Sequence, residues 1–152
     1  MLIEHILHRK GRVVETIPTG ATVAEAVARL HERNIGALVV TGDEAGEGTA
    51  TVAGILSERD VVRALGGPGA DTAALLGRPV DELMSTDVAT CGPRATVDEL
   101  MRLMTDRRIR HVPVLDEGGL VGIVSIGDVV KSRIDELQAE TDTLHEYLSS
   151  GR

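Results

Sequence analysis

The chain contains the same unit twice. Thr22-Val23-Ala24-Glu25-Ala26-Val27 returns 74 residues later as Thr96-Val97-Asp98-Glu99-Leu100-Met101. At the same offset, Arg33-Asn34-Ile35-Gly36-Ala37-Leu38-Val39-Val40 faces Arg107-Arg108-Ile109-Arg110-His111-Val112-Pro113-Val114. A third block, Gly54-Ile55-Leu56-Ser57-Glu58-Arg59-Asp60-Val61-Val62, matches Gly122-Ile123-Val124-Ser125-Ile126-Gly127-Asp128-Val129-Val130 at an offset of 68. Chance does not align three blocks in one order. Repeats of this kind complete each other's core rather than fold singly. The change in offset falls in Gly42 to Ala50, an enlarged hairpin loop in the first copy where Asp116-Glu117-Gly118-Gly119 serves the second.

Each copy reads as helix, hairpin, helix. Val23, Ala26, Val27 and Leu30 form one apolar helical stripe, repeated by Val97, Leu100, Met101 and Met104. Thr22 and Thr96 stand at the N-cap, with Glu25 and Glu99 three residues on, which predicts a capping box in both copies. Strands are predicted at Ala37 to Val40 and Thr51 to Leu56, and again at His111 to Leu115 and Leu120 to Ser125, with a short strand before each unit at Arg12 to Thr16 and Val88 to Cys91. Pro113 fits a strand edge, where no ladder donor is missed. Asp60 and Asp128 lie at the start of each second helix. Gly66-Gly67-Pro68-Gly69 closes the first unit, and Thr72 to Met84 leads into the second. A unit of about 60 residues buries too little surface alone. Two copies packed sheet on sheet, with pseudo-twofold symmetry, are the expected α/β architecture.

The C-terminal tail follows another rule. Val130, Ile134, Leu137, Thr141, Leu144 and Leu148 alternate spacings of four and three, the pattern of a helix that pairs with a helix. Fewer than three heptads do not sustain an independent coiled coil. The tail is expected to clasp its own module and a partner chain, the alternative being a helix folded only on its own core.

Composition narrows the function. Acidic residues outnumber basic ones by 24 to 16, for a net charge of −8, and Tyr147 is the one aromatic residue. Such a chain repels phosphate backbones and lacks a base-stacking surface, so nucleic acid is not an expected partner. No apolar run approaches the roughly 20 residues that span a bilayer, and Met1 to Lys10 does not read as a secretory signal. A cytoplasmic protein is expected. The core must be aliphatic, and the single Cys91 forms neither an internal disulfide nor a cysteine-based zinc site.

Chemistry concentrates in the third repeated block. A Ser hydroxyl and free N–H groups at a helix N-terminus suit an anion, and an Asp three residues later can accept from both hydroxyls of a ribose. Two such elements would make two clefts, each sized for a nucleoside phosphate. The bland alternative keeps Ser57 and Ser125 as N-caps with Asp60 and Asp128 in the first turn. Other features are weaker. His5 and His8 could share a metal on a helix, but nothing completes the site, so none is expected. Cys91 reads as a buried, inert thiol, and Arg107-Arg108-Arg110 faces phosphate or solvent. No spacing supports a catalytic constellation.

The blocks Arg108 to Val114, Gly122 to Asp128 and Ser57-Glu58-Arg59-Asp60, with the lead-in Val80-Asp81-Glu82-Leu83-Met84-Ser85, resemble a tandem pair of CBS domains over about Ile6 to Lys131. The resemblance implies repeats at 6–68 and 78–132, with the helix 133–149 as a dimer contact. It also implies binding of adenosine-containing ligands: AMP first, with ADP, ATP, NAD or S-adenosylmethionine as alternatives. Residue by residue, it places Ser57 at phosphate, Asp60 at ribose and Ile55 beside the base. Val80, Met84, Ile109, Arg110 and His111 form the opposite wall, with Pro113 following, and Arg59 points to phosphate. The second cleft would use Ser125, Asp128 and Ile123 against Ile35 and Gly36. It has Gly127 where the first has Arg59, and its lead-in around Ile6 and Leu7 fits the pattern less closely.

The leading expectation is a non-catalytic, AMP-sensing homodimer that signals through a separate effector protein, since no effector domain is fused. A dimerising interaction scaffold with degenerate clefts and an NAD-binding redox sensor are the alternatives.

Overall fold

A computed structural model describes residues 1–42 and 51–151. Its elements are α1 (Ile3–Lys10), β1 (Thr16–Pro18), α2 (Val23–Arg33), β2 (Ala37–Thr41), β3 (Val52–Ser57), α3 (Glu58–Leu65), α4 (Thr72–Leu76), a 3-10 turn (Val80–Glu82), α5 (Val97–Arg107), β4 (His111–Asp116), β5 (Gly119–Ser125) and α6 (Ile126–Ser150). The enlarged loop of the first hairpin lies outside the described residues.

The caps form as the sequence predicts. Thr22 Oγ1 accepts from the Glu25 N–H at 3.2 Å while Glu25 Oε2 accepts from the Thr22 N–H at 2.9 Å, and Thr96 with Glu99 repeats this at 3.1 and 2.8 Å. Each pair satisfies two N–H groups that a helix start leaves orphaned. Helices α2 and α5 then end on left-handed residues at equivalent positions, Asn34 (φ 51°) and Arg108 (φ 53°). Asparagine visits that region readily, whereas a long side chain costs about 1–2 kcal/mol there.

Two sheets result. In the first, β1 runs parallel to β2 and β2 antiparallel to β3; the second, among the described residues, holds only the β4–β5 hairpin. Away from β5, β4 pairs through an isolated bridge rather than a full strand, which accommodates Pro113. The short strands expected ahead of each hairpin are displaced or reduced. β1 begins at Thr16, the last residue of the predicted 12–16 strand. In the second copy Cys91 alone bridges Val114, through Cys91 N–H to the Pro113 carbonyl (3.2 Å) and Leu115 N–H to the Cys91 carbonyl (2.9 Å).

The buried side chains fall into two clusters rather than one shared core, and each borrows from the other half of the chain. Val80, from the lead-in to the second repeat, is buried with Ile17, Ala26, Leu38, Val40 and Leu56 of the first. Conversely, Ile3, Ile6 and Leu7 of α1 are buried with Val97, Leu100, Val112 and Val124 of the second. Backbone bonds repeat the exchange. Val23 N–H reaches the Arg78 carbonyl and Val80 N–H that of Ala21, both at 2.8 Å; Val97 N–H reaches the Met1 carbonyl (3.0 Å) and Ile3 N–H that of Ala95 (2.9 Å). Two equivalent glycines admit the exchanged segments. A Cβ on Gly54 would meet Met84 Sδ at 2.5 Å, and one on Gly122 would meet Leu7 Cδ2 at 2.5 Å.

The C-terminal tail is not a separate element. α6 runs unbroken for 25 residues from the second repeat, and only Val129 and Ser132 in it are buried. The apolar stripe faces outward: Ile134 is 59% exposed, Leu144 63% and Leu148 71%.

Candidate functional site

The junction of β3 and α3 is built by Ser57 and Asp60. Asp60 Oδ2 accepts from the Ser57 N–H (2.8 Å) and from its hydroxyl (3.0 Å). Ser125 and Asp128 repeat both distances at the start of α6. The serines therefore do serve as helix starts. They also stand at the walls of two cavities.

The first cavity has a volume of about 460 Å³ and is lined from both repeats. Ile55, Ser57, Arg59 and Asp60 come from β3 and α3, and Ile109, Arg110 and His111 from the entry into β4. Five arginines (Arg59, Arg63, Arg107, Arg108 and Arg110) line it against three carboxylates, Glu58, Asp60 and Asp87. This concentration of positive charge lies in a chain whose net charge is −8. Arg59 Nη1 crosses to the carbonyl of Arg108 at 3.2 Å, so one guanidinium ties the two repeats together. Arg107 pairs with Asp87 at 2.8 Å.

The second cavity, about 320 Å³, is lined by Ile35, Gly36, Ile123 and Ser125 together with Lys10, Val13, Glu15, Asn34, Ala37 and His111. Gly36 and His111 line both cavities, so the two share a wall. The contact is close: a Cβ on Gly36 would come within 3.1 Å of His111 Cε1. Burial pushes the His111 imidazole below its ordinary pKa, opposed by Glu58.

Some sequence-predicted wall residues lie elsewhere. Val80 lines neither cavity because it is buried in the first repeat's cluster, and Met84 is held against Gly54 beside that cluster. Pro113 is buried within β4, paired with Ile123. Asp128 does not line the second cavity; Lys10 Nζ reaches its Oδ2 at 2.6 Å and the Ile123 carbonyl at 2.9 Å. Burial alone would push the Asp128 carboxyl up, but the Lys10 hydrogen bond, the Ser125 N–H and the Lys10 charge hold it below the usual carboxylate range.

Sequence reasoning missed Lys10, Arg63 and Asp87. Arg63 carried a signal, since it lies four residues after Arg59 and so shares a face of α3. Lys10, 118 residues from Asp128, carried none. Burial pushes the Cys91 thiol up to about 11, so it stays protonated near neutral pH. His5 Nδ1 accepts from the Leu2 N–H at 3.3 Å, closing the first turn of α1. Among the described residues there is no group of three or more His, Cys, Asp or Glu side chains that could hold a metal, and no helix long and apolar enough to cross a membrane.

Comparison with known proteins agrees with this geometry. The CBS-domain family model matches residues 6–67 and 80–135. A mitochondrial CBS domain-containing protein of Arabidopsis thaliana, CBSX3, is 38% identical over 135 residues, covering 88% of this chain and 63% of that relative. The crystal structure of a CBS-domain containing protein of Agrobacterium tumefaciens superposes with a TM-score of 0.79 at 44% identity, over 87% of this chain and 92% of that one. The CBS domain pair of protein MJ0100, solved in complex with 5′-methylthioadenosine and S-adenosyl-L-methionine, superposes with a TM-score of 0.73 at 26% identity, over 90% and 98%. With both repeats matched and the fold shared, the chain belongs to the CBS-domain family.

Proposed function

We propose that this chain is a cytoplasmic, non-catalytic regulatory module that binds an adenine nucleotide, AMP first among them, in the first cavity. The observation that carries the reading is that five arginines line, together with the Ser57–Asp60 pair, a cavity that bridges the repeats. Charge-assisted bonds from guanidinium to phosphate are among the strongest a protein can offer. Asp60 would take ribose hydroxyls with the acceptor capacity Ser57 leaves free, and Ile55 and Ile109 would flank the base. The adenosine compounds bound by the MJ0100 domain pair support the ligand class.

Signalling follows from Arg59. Its guanidinium reaches the Arg108 carbonyl across the repeats. A phosphate in the cavity competes for it, so occupancy shifts the balance between two packings of the repeats. Output passes to an effector protein through a homodimer. Val62 on α3 (66% exposed) and its repeat equivalent Val130 on α6 (48% exposed) leave apolar faces for a second copy.

Thermal unfolding with AMP, ADP, ATP, NAD and S-adenosylmethionine tests the reading. A ligand at about 100 times its Kd adds about 2.7 kcal/mol, or about 5–10 °C for a chain of this size. Asp60→Ala and Arg59→Ala abolish the shift if the first cavity is the site. A second reading, a dimerising interaction scaffold, draws on the exposed stripe of α6. It gains if no adenosine compound shifts the Tm and Asp60→Ala has no consequence.

A further inference from the structure

The two cavities descend from one duplicated block, yet they are not equivalent. In the first, Asp60 lines the cavity, and among the described residues the donors to its Oδ2 come from Ser57 alone. In the second, Lys10 lines the cavity in place of the equivalent aspartate. Its ammonium spans Asp128 Oδ2 (2.6 Å) and the Ile123 carbonyl (2.9 Å), and the same oxygen also accepts the Ser125 N–H and hydroxyl at 2.8 and 3.0 Å. Three donors converge on one carboxylate oxygen.

The packing of α1 sets the position of this contact. Lys10 is the last residue of α1, whose Ile3, Ile6 and Leu7 are 0%, 3% and 1% exposed in the second repeat's cluster. Arg9 adds an ion pair to Asp135 of α6 at 3.0 Å. The helix is seated by its apolar face, so the ammonium is delivered rather than searching for its partner. The bond to Ile123 also has a counterpart in the first repeat. There the Ile55 carbonyl accepts the Ser85 backbone N–H at 2.9 Å, whereas in the second a side chain fills that place.

Charge separates the cavities further. Gly127 replaces Arg59, and among the described residues no arginine lines the second cavity. Its lysine is already neutralised by Asp128, and Glu15 adds negative charge. A nucleotide entering there meets an occupied ribose acceptor and no guanidinium in the lining.

We propose that Lys10 closes the second cavity to nucleotides, so that each chain holds one nucleotide, in the first cavity; this rests on the reading that the first cavity is a nucleotide site. Lys10 thus adds to the missing arginines in making the duplicated sites unequal.

Isothermal titration with AMP and with ATP, on wild type and Lys10→Met, decides it. The expected result is one nucleotide per wild-type chain and two per Lys10→Met chain. Adding Asp60→Ala to Lys10→Met should remove the first site and leave the newly opened one. Two nucleotides per wild-type chain would overturn the closure while leaving the first-cavity reading intact, as would one per chain in both proteins. Binding only in Lys10→Met, and surviving Asp60→Ala, would support the closure and overturn the first-cavity reading. No binding to either protein would overturn both. If methionine weakens α1, Lys10→Leu, which also removes both the charge and the donor, gives the same comparison.

Discussion

The packing of α1 on the second sheet is testable through Gly122. A Cβ built there would stand 2.5 Å from Leu7 Cδ2, 3.1 Å from Cδ1 and 3.4 Å from Cγ. Carbon atoms rest at about 3.5–4.0 Å, so the closest contact is about 1 Å short. Leu7 is 1% exposed and cannot swing aside into solvent. Gly122→Ala is therefore an overpacking change worth about 1–3 kcal/mol of destabilisation. At about 2 kcal/mol, the Tm falls by about 4–8 °C. Leu7→Ala alone costs about 2–5 kcal/mol because it opens a cavity. The double variant removes the clash, and the methyl group added at position 122 occupies part of the space Leu7 leaves. Its loss should match Leu7→Ala alone, giving a coupling of about 1–3 kcal/mol in a double-mutant cycle measured by urea unfolding. Additive losses, within about 0.5 kcal/mol, would mean that Leu7 does not rest on Gly122 and that α1 is seated elsewhere.

Gly54→Ala should behave differently from its repeat equivalent. The added Cβ meets not only Met84 Sδ at 2.5 Å but the Ser85 backbone carbonyl at 2.7 Å, so Met84→Ala should fail to rescue it in the same unfolding assay. Thr96→Ala removes the cap of α5 and should cost about 1 kcal/mol, whereas Thr96→Ser should recover most of it. Asp128 has a lowered pKa, so its contribution to stability is present above the ordinary carboxylate value of about 3.9 and is lost as pH falls through the lower folded value. Lys10→Met should accordingly be less stable than wild type near neutral pH, and that gap should narrow as unfolding is followed below about pH 4. For the tail, Leu144→Glu with Leu148→Glu should shift the protein to a smaller species in sedimentation; an unchanged mass would exclude α6 as a dimer contact.

The duplication made most of the fold legible. Capping boxes, amphipathic stripes and hairpins depend on neighbours within a dozen residues, and the sequence spells those out twice, so α2, α5 and the four hairpin strands were readable. The short lead-in strands were less so. A run such as Arg12 to Thr16 has no strong alternation, and where it pairs depends on β2, more than 20 residues away. The placement of α1 was readable only through the family resemblance, which put Ile6 and Leu7 in the lead-in to the second cleft. Ile3, Ile6 and Leu7 mark an apolar face, but nothing local says that this face belongs to the second repeat rather than the first.

The same division holds within the site. Ser57, Asp60 and the arginines at 107, 108 and 110 stand out because their blocks recur and their chemistry is shared with anion sites generally. A duplicated sequence predicts duplicated sites, and by that logic Asp128 should be as available as Asp60. What breaks the symmetry is a residue outside the aligned blocks. Lys10 is the last residue of a helix whose apolar residues are buried in the other repeat's cluster, so its ammonium meets a carboxylate at a distance no periodicity encodes. Exchange of lead-in segments thus has a functional consequence beyond stability. The segment that completes each repeat's core also brings a side chain to the β-strand end where that repeat's serine and aspartate sit. In the first repeat the segment contributes Met84 and a backbone bridge at Ser85, and Asp60 lines the cavity. In the second it contributes a lysine. On the proposed reading, a single position in an N-terminal helix adds to the missing arginines in setting the second cleft apart from the first.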